Sequence, residues 1–438
     1  MKKRIIASVC AVILIFMMVA CESGTHGNTD SQTVNADSES AVMTSENNGS
    51  VTTSENTGSI TTSENTEEPF TENEIAKLGT ADNSYLCGDS SRLNSYEEKT
   101  YEDFDRICRY LVYDGYDEYC SSERNGSAFA TYIKGSKLAS IYWLKERGEL
   151  NIVMSSTAGK NLPPATPGVT DGRFETTVVQ LQQTEKVNGM GYIIRLADGS
   201  FIIYDGGYAN MTEPLYNKLV ELSGGENIVI RAWVLTHSHA DHYPAFAGFA
   251  ASYADKVSLE YVLTAPVAYG DAENKYLNGS VYDDIAKFSG AECCIVHTGM
   301  TFTFCNLKME ILFSPEELYI DAKQDNFNNS SIVSRLYSDG YSMLFMGDAA
   351  KETAAFLTET YGTYLQSNMC QVSHHGVEDV PLSFYTKVKA SILWYPCSQA
   401  LYNLTDRNGD VRRALERASY TEEILIQSEA CYQRSWGG

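Results

Sequence analysis

The chain has 438 residues, with 33 Lys and Arg against 57 Asp and Glu, so its formal net charge is −24. This balance argues against a protein that coats nucleic acid, because that class gains affinity from basic stripes that displace counterions. Hydrophobic residues make up 43% of the chain and aromatic residues 11%. These fractions exclude an extended disordered protein over most of the length, and favour one domain of roughly 200 to 280 residues beside something smaller.

Residues 1–20 have the order of a secretory signal. Met1–Arg4 are basic, and an apolar run of 16 residues extends from there to Ala20. The run is shorter than the about 20 residues of a bilayer span, whereas basic, apolar and small residues in that order are typical of exported proteins. The small residue before Cys21 resembles a bacterial lipoprotein signal, which implies an extracytoplasmic protein anchored through a lipid on Cys21. An ordinary signal peptide or an uncleaved anchor is the alternative.

Residues 21–72 predict a disordered tether. They consist mainly of Ser, Thr, Asn, Glu and Gly, and the sequence Thr-Ser-Glu-Asn recurs at positions 44, 53 and 62. Such a segment buries too little apolar surface to offset the entropy lost on ordering. A flexible coil of this length has a root-mean-square reach of roughly 40 Å, so we expect the folded part to stand clear of the membrane.

Residues 80–160 predict a small α+β domain, with one helix and a three-stranded antiparallel meander. Apolar residues repeat at helical spacing from Tyr101 to Leu111, and alternating apolar runs follow between residues 128 and 154. No cluster of His, Cys or carboxylates in this region suggests chemistry. We therefore expect a packing module, or a docking module for an unidentified protein. The proline-rich residues 162–168 mark its end.

Strand and helix patterns alternate in residues 170–438, as they do in a layered α/β domain. Five of the seven His residues of the chain lie in two short stretches of this region, 236–242 and 372–376. Residues two apart on an extended segment point to one side, so His237 and His239 can bind one ion. Asp241 and His242 lie on the next turn, and can address a second ion about 3.5 to 4 Å away, the spacing of two-metal hydrolases.

Residues 237–242 have the pattern HxHxDH, and here the chain resembles the metallo-β-lactamase-fold hydrolases. The resemblance extends from about Val178 to the C-terminus and includes Asp205, in an Asp-Gly turn after an apolar strand, where the family places a carboxylate that supports the metal loop. The implied fold class is α/β, a four-layer αβ/βα sandwich, here preceded by the small α+β domain and the disordered tether.

The same resemblance implies which residues bind the two metals. Asp348 ends an apolar strand, as the carboxylate shared by the two metals does in this family, and the pair His374–His375 begins 26 residues later. All expected ligands are imidazoles or carboxylates: His237, His239 and Asp348 for the first metal, and Asp241, His242, Asp348 and His374 for the second. His374 is favoured because it comes first after its strand, and His375 is then expected to support the site or to face the substrate.

One departure from the family concerns a third His for the first metal. Residues 326–333 stand where most members supply it, but they contain Asn and Ser and no His. His297, far upstream of Asp348, is expected to be structural. The Asn-Asn-x-Ser pattern resembles a branch that contains the hydrolase domain of competence DNA-uptake proteins and related phosphodiesterases. In that branch Asn328 or Asn329 is expected to replace the His, directly or through a water, which implies a loosely held first metal.

The implied cofactors are two divalent metal ions. Imidazole and carboxylate ligands suit Zn²⁺, with Mn²⁺ or Fe²⁺ as alternatives. Two cations lower the pKa of a shared water toward about 7 and so supply a bridging hydroxide, which Asp241 can orient. For the general acid, Ser373 and Tyr243 are candidates by their proximity to the motifs.

The branch resemblance implies a cell-surface phosphodiesterase that acts on a small molecule or on an envelope component. Nucleic acid is disfavoured by the charge of −24, unless basic residues between Lys387 and Arg417 form a local patch. Two alternatives remain open. One is a hydrolase of lactones or β-lactams, and the other is a non-catalytic lipoprotein that contains metal and binds or senses a partner.

Overall fold

The computed structural model describes residue 70 and residues 73–87, 91–156, 161–166, 173–265, 280–315, 328–338, 340–377, 380–404 and 409–436. The signal peptide expected at 1–20, Cys21 and nearly all of the tether expected at 21–72 lie outside these residues. Residues 68–438 form one compact unit. Within the described ranges, no helix is long and apolar enough to cross a membrane, and the nine cysteines form no disulfide bond.

The N-terminal part is a six-stranded antiparallel sheet. Its strands are β1 Asn83–Leu86, β2 Arg92–Tyr96, β3 Asp117–Arg124, β4 Ser127–Lys134, β5 Lys137–Leu144 and β6 Glu149–Ser155. They pair in the order β1-β2-β6-β5-β4-β3. A short helix α1 (Glu74–Lys77) precedes the sheet, and helix α2 (Tyr101–Tyr113) covers one of its faces with a buried apolar stripe at the predicted spacing.

The predicted helix and the strand patterns between residues 128 and 154 are confirmed, but the sheet has six strands rather than three. Strand β3 was missed because its sequence is polar and it forms an edge of the sheet, largely exposed, where no apolar alternation is required. The face opposite α2 is not free: Phe129 and Tyr142 share a buried core with Phe356 and Tyr361 of the following region. The boundaries 80–160 and 170–438 stay a prediction.

Two further seven-stranded sheets follow. The strands of the second sheet, in chain order, are β7 Thr177–Gln180, β8 Gly191–Arg195, β9 Phe201–Asp205, β10 Ile228–Val234, β11 Val257–Thr264 and β12 Glu292–Ile295. Those of the third sheet are β13 Thr301–Phe304, β14 Leu307–Phe313, β15 Val333–Ser338, β16 Tyr341–Phe345, β17 Met369–Gln371, β18 Ile392–Tyr395 and β19 Glu423–Ile426. The last strand, β20 (Tyr432–Ser435), returns to the second sheet beside β7.

The described helices of this region lie outside the two sheets. They are α3 Thr212–Ser223, α4 Pro244–Tyr253, α5 Ser280–Ile285, α6 Lys351–Tyr361, α7 Leu382–Val388, α8 Gln399–Tyr402 and α9 Gly409–Glu416. Apolar residues of α3, α4 and α5 pack on the second sheet, and those of α6, α7 and α9 pack on the third. A separate core, with Tyr204 stacked on Phe345, fills the space between the sheets. The four-layer αβ/βα sandwich is therefore confirmed.

Strand direction places the predicted motifs at one edge of this sandwich. β10 runs parallel to β9 and β11, and β16 runs parallel to β17. The HxHxDH segment follows β10, while Asp348 follows β16 and the His374–His375 pair follows β17. Carboxyl ends of parallel strands are where open α/β sheets bind ligands, and the packing of the second sheet on the third brings the loop after β10 to the loops after β16 and β17.

Candidate metal centre

The loop after β10 supplies the first group of possible metal ligands. His237 Nε2 and His239 Nδ1 lie 3.0 Å apart, and His237 Nε2 is 3.7 Å from Asp348 Oδ2. The ligand atoms of these three residues all lie within 4.8 Å of one another. His237 and His239, two residues apart on one segment, thus lie together with Asp348, and the three are the set expected for the first metal.

A second group contains Asp241, His242, Asp348 and His375. Asp348 Oδ2 lies 3.2 Å from His242 Nε2 and 3.4 Å from His375 Nε2. Asp241 Oδ2 lies 2.9 Å from His375 Nε2. Asp348 is therefore common to both groups, as the sequence motifs predict for the carboxylate after β16.

The geometry groups His375, and not the favoured His374, with Asp241, His242 and Asp348, whereas which imidazole binds the metal stays a prediction. Both residues have positive φ, 44° for His374 and 58° for His375, a conformation uncommon outside glycine. The chain turns sharply there, and the second imidazole after β17 is the one that enters the second group. His374 Nε2 lies 3.8 Å from Asp348 Oδ2, and its side chain keeps 23% exposure, against 1% for His375.

Asp348 is held in a narrow space. Gly347, with φ of 55°, precedes it, and a Cβ at that position would lie 2.8 Å from Ser331 Oγ and 3.1 Å from Thr236 Cβ. Ser331 Oγ accepts a hydrogen bond from the Asp348 N–H at 2.9 Å. A side chain at position 347 would collide with the segment before β15 and with the loop after β10. Glycine at this position therefore lets Asp348 lie close to both ligand groups.

The donor set fits a pair of divalent cations. Among the described residues, both carboxylate oxygens of Asp348 and the Nε2 atoms of His242 and His375 are buried and have no hydrogen-bond partner of good geometry. Buried polar atoms are nearly always hydrogen-bonded, so this concentration of unmatched atoms, all of metal-ligand type, indicates that they bind something outside the chain.

The electrostatics of the cluster agree with that interpretation. Burial opposes a charged His375, but the carboxylates of Asp348 and Asp241 outweigh it and raise the pKa of His375 to about 9. Burial likewise opposes a charged His242, yet the same carboxylates and Asp205 raise its pKa well above the usual value. In the absence of a cation, therefore, the carboxylates favour the protonated forms of His242 and His375. Burial and the nearby His242 lower the pKa of His237 well below its usual value, which keeps this imidazole neutral.

The Asp205 carboxylate stabilises the start of the loop after β10, which carries His237, His239, Asp241 and His242. One carboxylate oxygen accepts the Thr236 N–H at 2.7 Å, and the other accepts the Thr236 hydroxyl at 2.7 Å and lies 2.7 Å from His242 Nδ1. A proton on Nδ1 leaves Nε2 of His242 as a lone-pair donor toward the group. Asp205 itself has a φ of 51°, and the turn that this creates directs the carboxylate back at the loop.

The neighbouring residues Asn328 and Asn329 have separate roles. Asn328 Nδ2 lies 3.4 Å from His374 Nδ1. This contact is at the edge of the metal cluster, which comprises the two ligand groups together with Asp205. Asn329 is buried, and its Oδ1 accepts from the Ala350 N–H and the Thr353 hydroxyl, both at 3.0 Å, so it is bonded to the N-terminal end of α6. Of the two alternatives for the missing His, only Asn328 contacts an imidazole of the His374–His375 pair.

Several sequence candidates lie elsewhere. The Ser373 hydroxyl donates to the Ala349 carbonyl, and the Tyr243 hydroxyl donates to Asp284. Neither is therefore placed as a general acid. His297 belongs to neither ligand group, and its backbone N–H contacts the Met300 sulfur at 3.3 Å, in agreement with a structural residue.

Sequence reasoning missed Gln371, which connects the two ligand-bearing loops of the third sheet. Its Oε1 accepts the Met346 N–H at 2.7 Å, and its Nε2 donates to the Gly347 and Val372 carbonyls at 3.0 and 2.8 Å. A polar residue inside an apolar strand just before the His pair was the available signal, because a fully buried Gln needs partners for its amide.

Comparison with known proteins gives one family. Residues 186–292 match the model of the metallo-β-lactamase superfamily, a range that contains the HxHxDH segment and ends before Asp348. No curated protein matches the sequence.

Solved structures give only distant similarities. YhfI from Bacillus subtilis, a metallo-β-lactamase fold protein, is 9% identical with a TM-score of 0.39 over 60% of this chain and 99% of that one. The diiron β-hydroxylase CmlA from Streptomyces venezuelae is 10% identical, with a TM-score of 0.39 over 60% and 54% of the two chains. Long form RNase Z from yeast is 10% identical, with a TM-score of 0.35 over 60% and 41%. Similarity at this level concerns the fold alone.

Proposed function

We propose that this chain, which carries a metallo-β-lactamase superfamily domain, hydrolyses phosphodiester bonds with two divalent cations. The observation that carries the proposal is the position of Asp348, whose carboxylate is common to two groups of ligand atoms, each within 4.8 Å. Shared carboxylates hold two cations close enough to contact two oxygens of one phosphate, as in two-metal phosphodiester hydrolysis. When bound, the cations would supply Lewis-acid stabilisation of the phosphate and activate a water for attack.

The residues of the chain divide the remaining work. His237, His239 and Asp348 would hold the first cation, and Asp241, His242, Asp348 and His375 the second. Asp241 is the only carboxylate of the second group with a partly exposed side chain, 13%, so it can accept a hydrogen bond from the attacking water. His374, more exposed than the ligand His375, can deliver a proton to the leaving alkoxide. Because of Asn328, the first group has one imidazole fewer than the family pattern.

The charge of the surface favours a small substrate over a long polyanion. The net charge is −24, and two of the basic residues expected as a possible nucleic-acid patch lie beside carboxylates. Arg413 pairs with Asp410, and Arg412 lies 3.8 Å from Glu416. Binding to nucleic acid depends on basic groups that displace counterions from phosphates. We therefore propose a small or envelope phosphodiester, with Zn²⁺ as the first metal to test.

An assay with three substrate classes tests the proposal. The purified protein, loaded in turn with Zn²⁺, Mn²⁺ and Fe²⁺, is assayed on bis(p-nitrophenyl) phosphate, a homoserine lactone and a chromogenic β-lactam. We expect metal-dependent turnover of the phosphodiester, removed by EDTA and restored by metal. Turnover of only the lactone or the β-lactam would replace this proposal with the alternative enzyme class. Two bound metals without turnover of any ester would support the binding or sensing lipoprotein.

A separate proposal concerns location. From the order of charges and apolar residues in 1–20 and the small residue before Cys21, we propose export and lipid attachment at Cys21, which anchors the protein outside the cytoplasm. Labelling of bacteria that express the full chain with an alkyne fatty acid tests this. We expect label on the wild-type protein, and none on Cys21→Ser. Equal labelling of both proteins would contradict the proposal.

A further inference from the structure

We propose that Asn188, in the segment between β7 and β8, is a positioning residue that fixes the Asp241 carboxylate within the second ligand group. Its side-chain Nδ2 donates a hydrogen bond to Asp241 Oδ2. That same oxygen faces His375 Nε2 at 2.9 Å. The contact comes from a loop that carries no ligand of its own, and no motif in the sequence points to it.

The orientation of the Asn188 amide is determined by a second residue. The Tyr208 hydroxyl donates to Asn188 Oδ1 at 3.1 Å. If the Asn188 amide were flipped, its Oδ1 would face the Asp241 carboxylate, and two acceptors would then oppose each other. Its Nδ2 would face the Tyr208 hydroxyl, which would have to accept instead of donate. Tyr208 therefore selects the orientation in which the donor meets the carboxylate. Burial, together with the charges of Asp241 and Asp348, raises the pKa of Tyr208, so its hydroxyl remains a donor over the neutral range.

The backbone around Asn188 is attached on two sides of the metal cluster. Asn188 forms a bridge with Cys397, and the Val187 carbonyl accepts the Ser398 N–H at 2.7 Å. On the other side, the Met190 N–H donates to the Asp241 carbonyl at 2.9 Å. The segment is thus attached to the backbone of Asp241 itself.

The attachment near Cys397 also reaches the second imidazole. The Pro396 carbonyl lies 2.8 Å from His375 Nδ1, next to the residue that bridges Asn188. A proton on Nδ1 donated to this carbonyl leaves the Nε2 lone pair of His375 available to a cation bound by Asp241 and Asp348. The 187–190 segment therefore spans both Asp241 and His375, the two residues that complete the second group around the shared Asp348.

The chemistry explains why this contact matters. A carboxylate can present either oxygen to a cation, and a donor fixed on one oxygen reduces that freedom. Hydrogen-bond partners of metal ligands typically contribute about 10- to 100-fold to metal affinity. The inference rests on the proposed function only for its kinetic part, because the effect on metal binding does not require turnover.

Zinc titration of the intact protein against a chromogenic chelator, without substrate, tests the inference. The variants are Asn188→Ala, which removes the donor, and Tyr208→Phe, which removes only the hydroxyl that orients it. For Asn188→Ala we expect one of the two equivalents to bind about 10- to 100-fold more weakly and the other to be unchanged. For Tyr208→Phe we expect the affinity for the same zinc equivalent to fall by less than about 10-fold. Tyr208→Phe also decides the question should Asn188→Ala fail to fold.

Asn210→Ala is the matched control. Asn210 holds the same loop through Gln183 and Glu185 but does not contact Asp241. We expect both of its zinc equivalents to retain wild-type affinity. Wild-type affinity in both Asn188→Ala and Tyr208→Phe would overturn the inference. An equal loss in Asn210→Ala would overturn it as well, because the loop as a whole would then be responsible.

The kinetic part separates the two proposals. At saturating zinc, Asn188→Ala should lower kcat for bis(p-nitrophenyl) phosphate and leave KM within about twofold, because a misaligned Asp241 affects the orientation of the attacking water and not substrate binding. If the wild-type protein hydrolyses no ester while the affinities follow the expected order, the proposed function fails and the positioning role stands. A change in KM alone would contradict positioning through Asp241.

Discussion

Two buried clusters of charged side chains lie in this molecule, and they are balanced in opposite ways. In the first, the metal cluster, Asp205, Asp241 and Asp348 lie among imidazoles, and within the described residues no Lys or Arg forms an ion pair with them. In the second, the arginine cluster, Glu310 lies between two guanidinium groups. Arg124 Nε is 3.2 Å from one oxygen, and Arg335 Nη2 is 2.8 Å from the other.

The charges of the arginine cluster are matched within the protein, although Nε and Nη1 of Arg124 have no hydrogen-bond partner of good geometry. The Tyr364 hydroxyl also donates to Glu310 at 2.6 Å, and Arg124 Nη2 donates to Thr301 Oγ1 at 2.7 Å. Because Arg124 belongs to the N-terminal sheet, this cluster joins that sheet to the third one. Burial of a charge is costly unless it is paired. The arginine cluster therefore contributes to the fold, whereas the metal cluster has unmatched acceptors that suit an added cation.

The largest expected effect tests that division at the shared carboxylate. Asp348→Asn removes the charge common to both ligand groups, so both metals should bind more weakly. The loss of several kcal/mol of transition-state stabilisation should lower kcat/KM by about 10³-fold or more. Metal content by mass spectrometry and turnover of bis(p-nitrophenyl) phosphate measure the two effects.

Glu310→Gln is the control for Asp348→Asn, since it neutralises a carboxylate as deeply buried as Asp348 but in the arginine cluster. We expect it to keep both metals and to be less stable toward urea. If Glu310→Gln lost metal to the same extent as Asp348→Asn, the two clusters would not be independent.

The next effect concerns the two adjacent imidazoles. His375→Ala should lose one metal equivalent, because His375 Nε2 lies within the second group. His374→Ala should retain both equivalents and lower kcat by about 10²- to 10⁴-fold, the usual contribution of a positioned proton donor. The measurements are metal content and kcat at saturating zinc. Loss of a metal from His374→Ala with none from His375→Ala would reverse the assignment made from the geometry.

The third prediction concerns the arginine cluster. Arg124→Met removes a buried cation, and removal of one partner of a buried pair typically costs 3 to 5 kcal/mol. Because Glu310 retains Arg335 and Tyr364, we expect the free energy of unfolding to fall by about 3 kcal/mol, at the low end of that range. Urea unfolding measures it, and metal content should not change.

Arg147→Met is the matched control for this prediction. Arg147 also joins the N-terminal sheet to the rest, through Glu359 at 2.9 Å, but the two side chains are 30% and 46% exposed. An exposed pair contributes about 1 kcal/mol or less. Equal losses in Arg124→Met and Arg147→Met would show that burial of the cluster does not matter.

The metal cluster was largely predictable from the sequence, whereas the arginine cluster was not. HxHxDH, Asp348 and the His pair are dense, ordered motifs of residues with a specific chemistry, and the strands before them are apolar enough to be predicted. Arg124 ends a polar edge strand, and nothing in the sequence around it indicates that it is among the most buried side chains. Its burial depends on Glu310, 186 residues later in the chain.

Within the metal cluster, residue type was least informative where the backbone conformation of two residues decides which atoms meet. The choice between His374 and His375 depends on two consecutive positive φ angles, which residue type does not reveal for His. The supporting contacts of Asn188 and Gln371 come from other segments, and depend on how loops pack. Residue chemistry predicted which ligands occur, but the loop conformation decides which atoms meet.

The smallest expected effect separates the neighbours Asn328 and Asn329. Asn329→Ala removes the buried acceptor of the Ala350 N–H and the Thr353 hydroxyl and should lower the free energy of unfolding by about 2 kcal/mol, within the usual cost of leaving a buried donor unsatisfied. Asn328→Ala should change stability by less than about 0.5 kcal/mol, as a substitution outside the core does. It should nevertheless weaken the first metal equivalent, because Asn328 stands in the segment where most members of the resembled family supply a third His to that metal. Urea unfolding of the metal-free proteins and zinc titration distinguish the two. A larger loss of zinc affinity in Asn329→Ala than in Asn328→Ala would mean that the start of α6, rather than the side chain in place of the third His, controls the first metal.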